Sequence, residues 1–140
     1  MLLPLLLALP LVHADPTVTI EVGRSRFPSG AEISASVTNA MGETIFVPAC
    51  ETMQVEVFDE DQGRWLPASS GGCKETKPAV GLTEGTHSLT AAHVTDKFTV
   101  VRLVLAFGLR CREGFSLEMA GCEEFRAATS SNITVAPVED

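Results

Sequence analysis

The chain has 140 residues, is 45% hydrophobic and 20% charged, and carries a formal net charge of -8 at pH 7. This length suits one domain with a single hydrophobic core. Because an acidic chain without a basic cluster is repelled by phosphate backbones and anionic membrane surfaces, we expect no nucleic-acid partner.

The first residues have the pattern of an export signal. Residues 2–12 are mostly Leu, with Pro and Ala, a run too short to span a bilayer but suited to the apolar core of a signal peptide. Ala14 then supplies the small residue that precedes a cut. We therefore expect residues 1–14 to be a signal peptide cleaved before Asp15, and residues 15–140 to be one secreted or periplasmic domain. No later run is long and uncharged enough to cross a membrane.

The four cysteines are Cys50, Cys73, Cys111 and Cys122. An even number of cysteines in an exported chain indicates disulfides. Of the three possible pairings we favour the two local ones, Cys50–Cys73 and Cys111–Cys122, each worth about 2–3 kcal/mol in the chain-entropy account. A zinc site is disfavoured, because no C-x-x-C pair is present and the spacings fit no zinc finger.

Alternating side chains predict short strands in the first part of the chain. Apolar and polar residues alternate over residues 17–23 and 31–39, on either side of a turn cluster at 24–30. Clean alternation is typical of an antiparallel sheet with one face in solvent. A short β-rich run at 44–47 ends at Pro48, which cannot donate to a sheet ladder.

The middle of the chain predicts a hairpin followed by a loop. Two strand-like runs, 53–57 and 64–66, flank the Gly-bearing segment 59–63. We expect Trp65, the only tryptophan, to pack in the core beside this hairpin. Residues 67–85 are rich in Gly, Ser and Pro and predict a long loop.

The longest strand signal covers residues 98–111. Its odd positions from 101 to 109 are all apolar, whereas its even positions mix Val with Arg. This pattern predicts a central strand covered fully on one face and partly on the other. Cys111 falls in phase with the apolar face. A weaker strand is expected at 87–94 and a final one at 131–137.

Together these elements predict an all-β fold. The chain shows no βαβ pattern and no convincing helix, which argues against a parallel sheet. An antiparallel two-sheet sandwich of seven or eight strands is the natural arrangement for a chain of this size.

A succession of short motifs carries a family resemblance. The motifs are SASVTN (34–39) followed by Gly42, IFV (45–47), VEVFD (55–59), GRW (63–65) and LTEGT (82–86). This succession resembles bacterial exported immunoglobulin-like β-sandwich domains and is more weakly similar to the BsuPI-type proteinase-inhibitor domain. The resemblance implies an immunoglobulin-like sandwich and, for the second family, inhibition of a proteinase.

Candidate chemical sites are few. His87 and His93 would share one face of a continuous strand, but no third metal ligand is evident. Asp59, Glu60 and Asp61 resemble half of a calcium loop, without the bidentate Glu that completes one. No G-x-S-x-G motif is present, and the cysteines are better used in disulfides. We therefore expect no metal, no cofactor and no enzymatic activity.

The two loops closed by the predicted disulfides, 50–73 and 111–122, suggest a role in recognition. Pre-ordered loops on a rigid scaffold lose less entropy on binding, so we expect a binding or structural module that presents these loops to a protein partner. The expected contact residues are Leu117, Glu118, Met119 and Ala120. The alternative is a secreted proteinase inhibitor, in which the same loop enters a protease cleft. The sequence names neither the partner nor the oligomeric state.

Overall fold

The computed structural model describes residues 17–68, 77–91 and 99–136. These residues form eleven strands in two sheets. The strands are β1 (Val18–Val22), β2 (Arg26–Pro28), β3 (Ile33–Asn39), β4 (Ile45–Val47), β5 (Gln54–Asp59), β6 (Arg64–Pro67), β7 (Val80–Leu82), β8 (Gly85–Ala91), β9 (Thr99–Leu109), β10 (Glu124–Thr129) and β11 (Ile133–Ala136).

Some of the sequence-based predictions fall outside these ranges. The predicted signal peptide, residues 1–14, is one of them, so its cleavage before Asp15 stays a prediction. Cys73 and His93 also lie outside the described residues. Within the ranges that are described, no helix is long and apolar enough to cross a membrane.

The two sheets confirm the predicted all-β sandwich, although the described residues form eleven strands rather than the seven or eight predicted. The smaller sheet has the strand order β1-β3-β8, and the larger sheet contains the other eight strands. Strand pairs are antiparallel, except for β11 and β2, which run parallel. Among the strands that the structure describes, only β5–β6 and β9–β10 pair successive strands. The short connection between β5 and β6 requires that pair to be antiparallel, since parallel neighbours need a long crossover.

Strand β9 is the centre of the larger sheet. One edge of its eleven residues pairs with β10 along residues 104–109 and with β11 along residues 99–101. The other edge pairs with β5 along residues 101–104 and with β4 along residues 108–109. One strand therefore holds four others in register, and the prediction that residues 98–111 form a central strand is confirmed.

The core lies between the sheets and is lined by one face of β9. The odd-numbered residues from Val101 to Leu109 are at most 2% exposed. Ile33, Ala35 and Val37 of β3 belong to the same buried cluster, as the alternation of this segment predicted. Burying a side chain of the Val, Leu, Ile or Phe type is worth about 1.5–3 kcal/mol, so these two strands supply a large share of the hydrophobic stabilisation.

Two short strands lie in segments for which the sequence predicted no strand. Strand β2 lies in the predicted turn 24–30, and its Phe27 is only 6% exposed. Strand β7 lies in the predicted loop 67–85 and pairs with β4. Each has three residues, too few to show a period of two, and is positioned by pairing with a strand distant in sequence.

The prediction that Trp65 packs in the core is wrong. Trp65 is half-buried on the outer face of the larger sheet, where its ring makes an edge-to-face contact with Phe58 at 5.3 Å between centroids. The guanidinium of Arg102 lies 4.3 Å from the Trp65 ring centroid and pairs with Glu56 at 2.8 Å. Strand register sets this side, because Trp65 lies opposite Phe58, and Glu56, two residues before Phe58 on β5, lies opposite Arg102 on the even face of β9. The cation–π contact adds to the stability of this arrangement.

Asn39 joins the two sheets through its side-chain amide. The residue is 1% exposed, and its Nδ2 donates to the carbonyl oxygens of Glu43 at 2.9 Å and Leu82 at 3.0 Å. Its Oδ1 accepts the N–H of Met41 at 2.9 Å. Because Asn39 ends β3 in the smaller sheet and Leu82 ends β7 in the larger one, this amide bridges the layers while meeting the hydrogen-bonding needs of a buried polar group.

Replacing Asn39 tests this bridge. We expect Asn39→Ala to lower the free energy of unfolding by about 2–3 kcal/mol, because three hydrogen bonds are lost and the buried carbonyl of Leu82 loses the Asn39 donor. Asn132→Ala is the matched control, since Asn132 is exposed, and we expect it to change the free energy by less than about 0.5 kcal/mol. Urea unfolding followed by circular dichroism measures both, and equal losses would contradict the assignment.

Candidate functional site

An open groove of about 590 Å³ lies on the outer face of the larger sheet. Its floor contains Ala106 of β9, with Phe125 of β10 and Gln54 of β5 beside it. Strand register places Phe125 opposite Gly108 and Gln54 opposite Val104, all on the face of β9 that points away from the core. The alternation that buries the odd residues of β9 therefore turns Ala106, an even one, toward this groove.

The groove is the place where the two predicted disulfide loops meet. Residues 48–51, around Cys50, form part of its lining, and residues 116–118 form another part, with Lys77 at its rim. No pattern in the sequence predicts that the two loops lie on one side of the same sheet. Their proximity follows from the pairing of β4, β5 and β10 with β9.

The four predicted contact residues differ in their exposure. Leu117 and Glu118 line the groove, with Leu117 half-buried. Met119 is 65% exposed, whereas Ala120 is fully buried. Three of the four side chains are therefore available to a partner, and Ala120 instead anchors the end of the loop.

A disulfide closes the 111–122 loop at its base. Cys111 and Cys122 are bonded, with their Cα atoms 4.0 Å apart, which confirms one predicted pair. Cys50 is also in a disulfide, but its predicted partner Cys73 lies outside the described residues. The Cys50–Cys73 pair therefore stays a prediction.

Hydrogen bonds order the interior of the 111–122 loop. The backbone N–H of Arg112 donates to the carbonyl of Ala120 at 2.8 Å, and its Nη2 donates to the carbonyl of Met119 at 3.1 Å. The same guanidinium lies 4.5 Å from the Phe115 ring centroid. The carbonyl of Phe115 accepts the N–H of Ala79 at 2.8 Å, which ties the loop to the segment before β7.

Gly108 makes room for the disulfide. A Cβ atom at this position would lie 2.8 Å from Cys111 Sγ and closer still to Cys122 Sγ, so the disulfide packs directly on the outer face of β9. The sequence-based prediction that Cys111 shares the apolar face of β9 is wrong. Arg110 has a positive φ of 54°, which interrupts the alternation after Leu109 and turns Cys111 to the opposite side.

Arg110 also connects the base of this loop to neighbouring segments. Its guanidinium lies 2.8 Å from Glu43, 3.1 Å from Glu123 and 3.4 Å from Glu124. The hydrogen bond with Glu123 is the main cause of a raised pKa of Arg110, and a hydrogen bond from Arg126 lowers the pKa of Glu124. Exposed ion pairs each contribute little to stability, but this cluster fixes the loop base against the β3–β4 turn.

Asp59 and His87, which were considered for metal binding, make hydrogen bonds to the backbone instead. The Asp59 carboxylate accepts the N–H of Asp61 at 2.9 Å and so shapes the hairpin turn. His87 Nε2 lies 2.8 Å from the carbonyl oxygen of Thr83, and His93 lies outside the described residues. In the part of the chain that the structure describes, no three His, Cys, Asp or Glu side chains group closely enough to hold a metal ion.

The sequence-based prediction did not include the groove residues that lie on strands, such as Phe125 and Ala106. Phe125 is 57% exposed although it lies within a strand, between the charged residues Glu124 and Arg126. An apolar aromatic residue that alternates with charges is the signal that could have identified it. Ala106 carries no such signal, because a small residue within a strand is common on either face.

No protein-family model matches the chain, and no curated protein shows a significant match to it. The resemblance to exported immunoglobulin-like domains and to BsuPI-type inhibitors therefore remains a prediction from short motifs. The groove and its two loops are the structural features that bear on function.

A methyl group at Gly108 tests the packing of the disulfide. We expect Gly108→Ala to lower the free energy of unfolding by about 1–3 kcal/mol through overpacking. Gly23→Ala is the matched control, because no atom lies within 4 Å of a Cβ at Gly23, and we expect a change below about 0.5 kcal/mol. Guanidinium unfolding without reductant measures both variants.

A variant without the disulfide tests whether its sulfur atoms cause the destabilisation by Gly108→Ala. When Cys111 and Cys122 are both replaced by Ala, the sulfurs that a Gly108 methyl would meet are gone. The destabilisation by Gly108→Ala should then shrink markedly, because of the three nearest atoms only the Cβ atom of residue 122, at 3.0 Å, remains as a close contact. An undiminished loss in this background would show that something other than the disulfide limits the site.

Proposed function

We propose that this chain is an exported, non-catalytic binding module that holds a segment of a protein partner between its two disulfide-tied loops. The observation that carries the proposal is that residues 48–51 and 116–118 line one groove. Concave sites with convergent polar groups are the usual places where proteins bind ligands. The site lies on the outer face of the sheet, so a partner reaches it without disturbing the core.

The groove has the chemistry of a peptide-binding surface. Phe125, 57% exposed, and the half-buried Leu117 offer apolar contacts. Glu51, Glu118 and Lys77 lie around them with charges of both signs. In such sites a few apolar anchors supply most of the binding energy, while polar groups at the rim fix orientation.

The loop on one side of the groove is ordered before any partner binds. Its base is held by the disulfide over Gly108 and by the ion pairs of Arg110, and its interior by the hydrogen bonds of Arg112. Ordering in advance reduces the entropy lost on binding. This arrangement supports recognition by a fixed surface.

Export is part of the same proposal. Disulfides form and persist in oxidising compartments, and the Cys111–Cys122 bond together with the bonded Cys50 supports a secreted or periplasmic location. The predicted signal peptide at residues 1–14 points to the same location.

Peptide selection tests the groove. Peptides selected from a random library on the immobilised protein should bind Phe125→Ser at least about tenfold more weakly than the parent, a loss of about 1.4 kcal/mol. Phe58→Ser is the control, because Phe58 is also exposed, at 36%, but does not line the groove; we expect no more than a twofold change for it. Fluorescence anisotropy measures both affinities. Peptides that bind both variants as well as the parent would place binding elsewhere and contradict the proposal.

A proteinase inhibitor is the second candidate, and the exposure of Met119 favours it. This side chain is 65% exposed in a loop closed by a disulfide, and its carbonyl is held by Arg112. A residue fixed in this way has the form of an anchor that could enter a protease cleft.

Titration against extracellular serine and cysteine proteases separates the two candidates. A binding module of the proposed kind should leave every protease fully active at micromolar concentration. Inhibition that is abolished by Met119→Asp but retained by Phe125→Ser would replace the binding-module proposal with the inhibitor. Peptidase activity on a fluorogenic substrate is the readout.

A further inference from the structure

Strand β8 forms an edge of the smaller sheet. Within the described part of the chain it pairs with β3 along its whole length and with no other strand. Its seven residues, GTHSLTA, include no Lys, Arg, Asp, Glu or Pro. A strand edge presents backbone N–H and C=O groups that can pair with another chain, and proteins usually protect such edges with charge, Pro or short length.

The other sheet edges in the described ranges carry these protections. Strands β2 and β6 each contain an arginine and a proline, and β7 has only three residues. Strands β1 and β10 contain charged side chains. β8 is therefore the edge that is both long and uncharged, which is the combination most suited to pairing.

We propose that β8 pairs antiparallel with β8 of a second copy of this chain, so that the two smaller sheets become one continuous sheet. The register that pairs all seven residues has a two-fold axis at Ser88. It places Thr86 opposite Thr90 and His87 opposite Leu89. Thr and Ser pairs across antiparallel strands are favourable, and an axis perpendicular to the sheet keeps the outer residues of both copies on one side.

The charge of the chain favours β8 over the rest of the surface as the place where two copies meet. Each copy carries a formal net charge of -8, so two copies repel each other over most of their surfaces. Strand β8 carries no acidic residue, and its exposed Thr86, Ser88 and Thr90 match themselves across the axis. Because a two-fold contact uses the same surface on both copies, assembly stops at a dimer.

The contact between the two copies does not involve the groove. The groove lies on the outer face of the larger sheet, whereas β8 is an edge of the smaller one. A dimer would therefore present two grooves. A test of the pairing does not depend on the outcome of the peptide-binding test.

Sedimentation equilibrium tests the pairing. As the concentration of the protein rises to about 1 mM, we expect the average mass to rise from one chain to two and no further. Ser88→Lys places two like charges directly opposite at the axis and should raise the dissociation constant at least about tenfold. Thr19→Lys, an exposed position on β1 at the other edge of the same sheet, should leave it unchanged.

Three results would overturn the proposal. They are a single-chain mass at every concentration, species larger than two chains, and equal effects of the two lysine variants. Hydrogen exchange on the unmodified protein decides the matter if Ser88→Lys fails to fold. Backbone amides of β8 should then exchange more slowly at high than at low protein concentration, and no such slowing would count against the pairing.

Discussion

The period of two along β9 is the constraint on which the rest of this structure depends. Its odd residues, from Val101 to Leu109, are withdrawn from water between the sheets, so a shift in register by one residue would turn the entire apolar row outward. Because β4, β5, β10 and β11 all pair with this strand, their positions are fixed with it. The loops that these strands carry are thereby brought to one side of the larger sheet, and the disulfide and hydrogen bonds of the 111–122 loop complete their arrangement.

Several parts of the fold were predictable because their physical cause is local. The alternation over residues 17–23, 31–39 and 98–111 predicted strands that the structure contains as β1, β3 and β9. The hairpin between β5 and β6 was predictable for a similar reason, since Gly63 has the positive φ of 65° that glycine adopts readily. In these segments the hydrophobic pattern and the turn residues agree, which is typical of sequences that specify one structure.

The remaining features depend on residues far apart in the chain. Trp65 lies outside the core because the pairing of β6 with β5 and of β5 with β9 places it on the face that carries Arg102. Cys111 faces outward because Arg110 adopts a left-handed conformation that its ion pairs with Glu43, Glu123 and Glu124 accompany. The groove could be predicted only in part: Leu117 was identified from its loop, but Phe125 and Ala106 join it through the pairing of β9 with β10.

The two faces of β9 separate the requirements of folding from those of the proposed recognition. Leu103 and Leu105 are fully enclosed and tolerate little change in volume, whereas Ala106, between Leu105 and Phe107, opens to solvent at the floor of the groove. Substitutions at Ala106, Gln54 or Phe125 would change the surface of the groove while leaving the hydrophobic interior intact. The binding specificity proposed for this groove could thus diversify over evolutionary time without loss of the architecture that supports it.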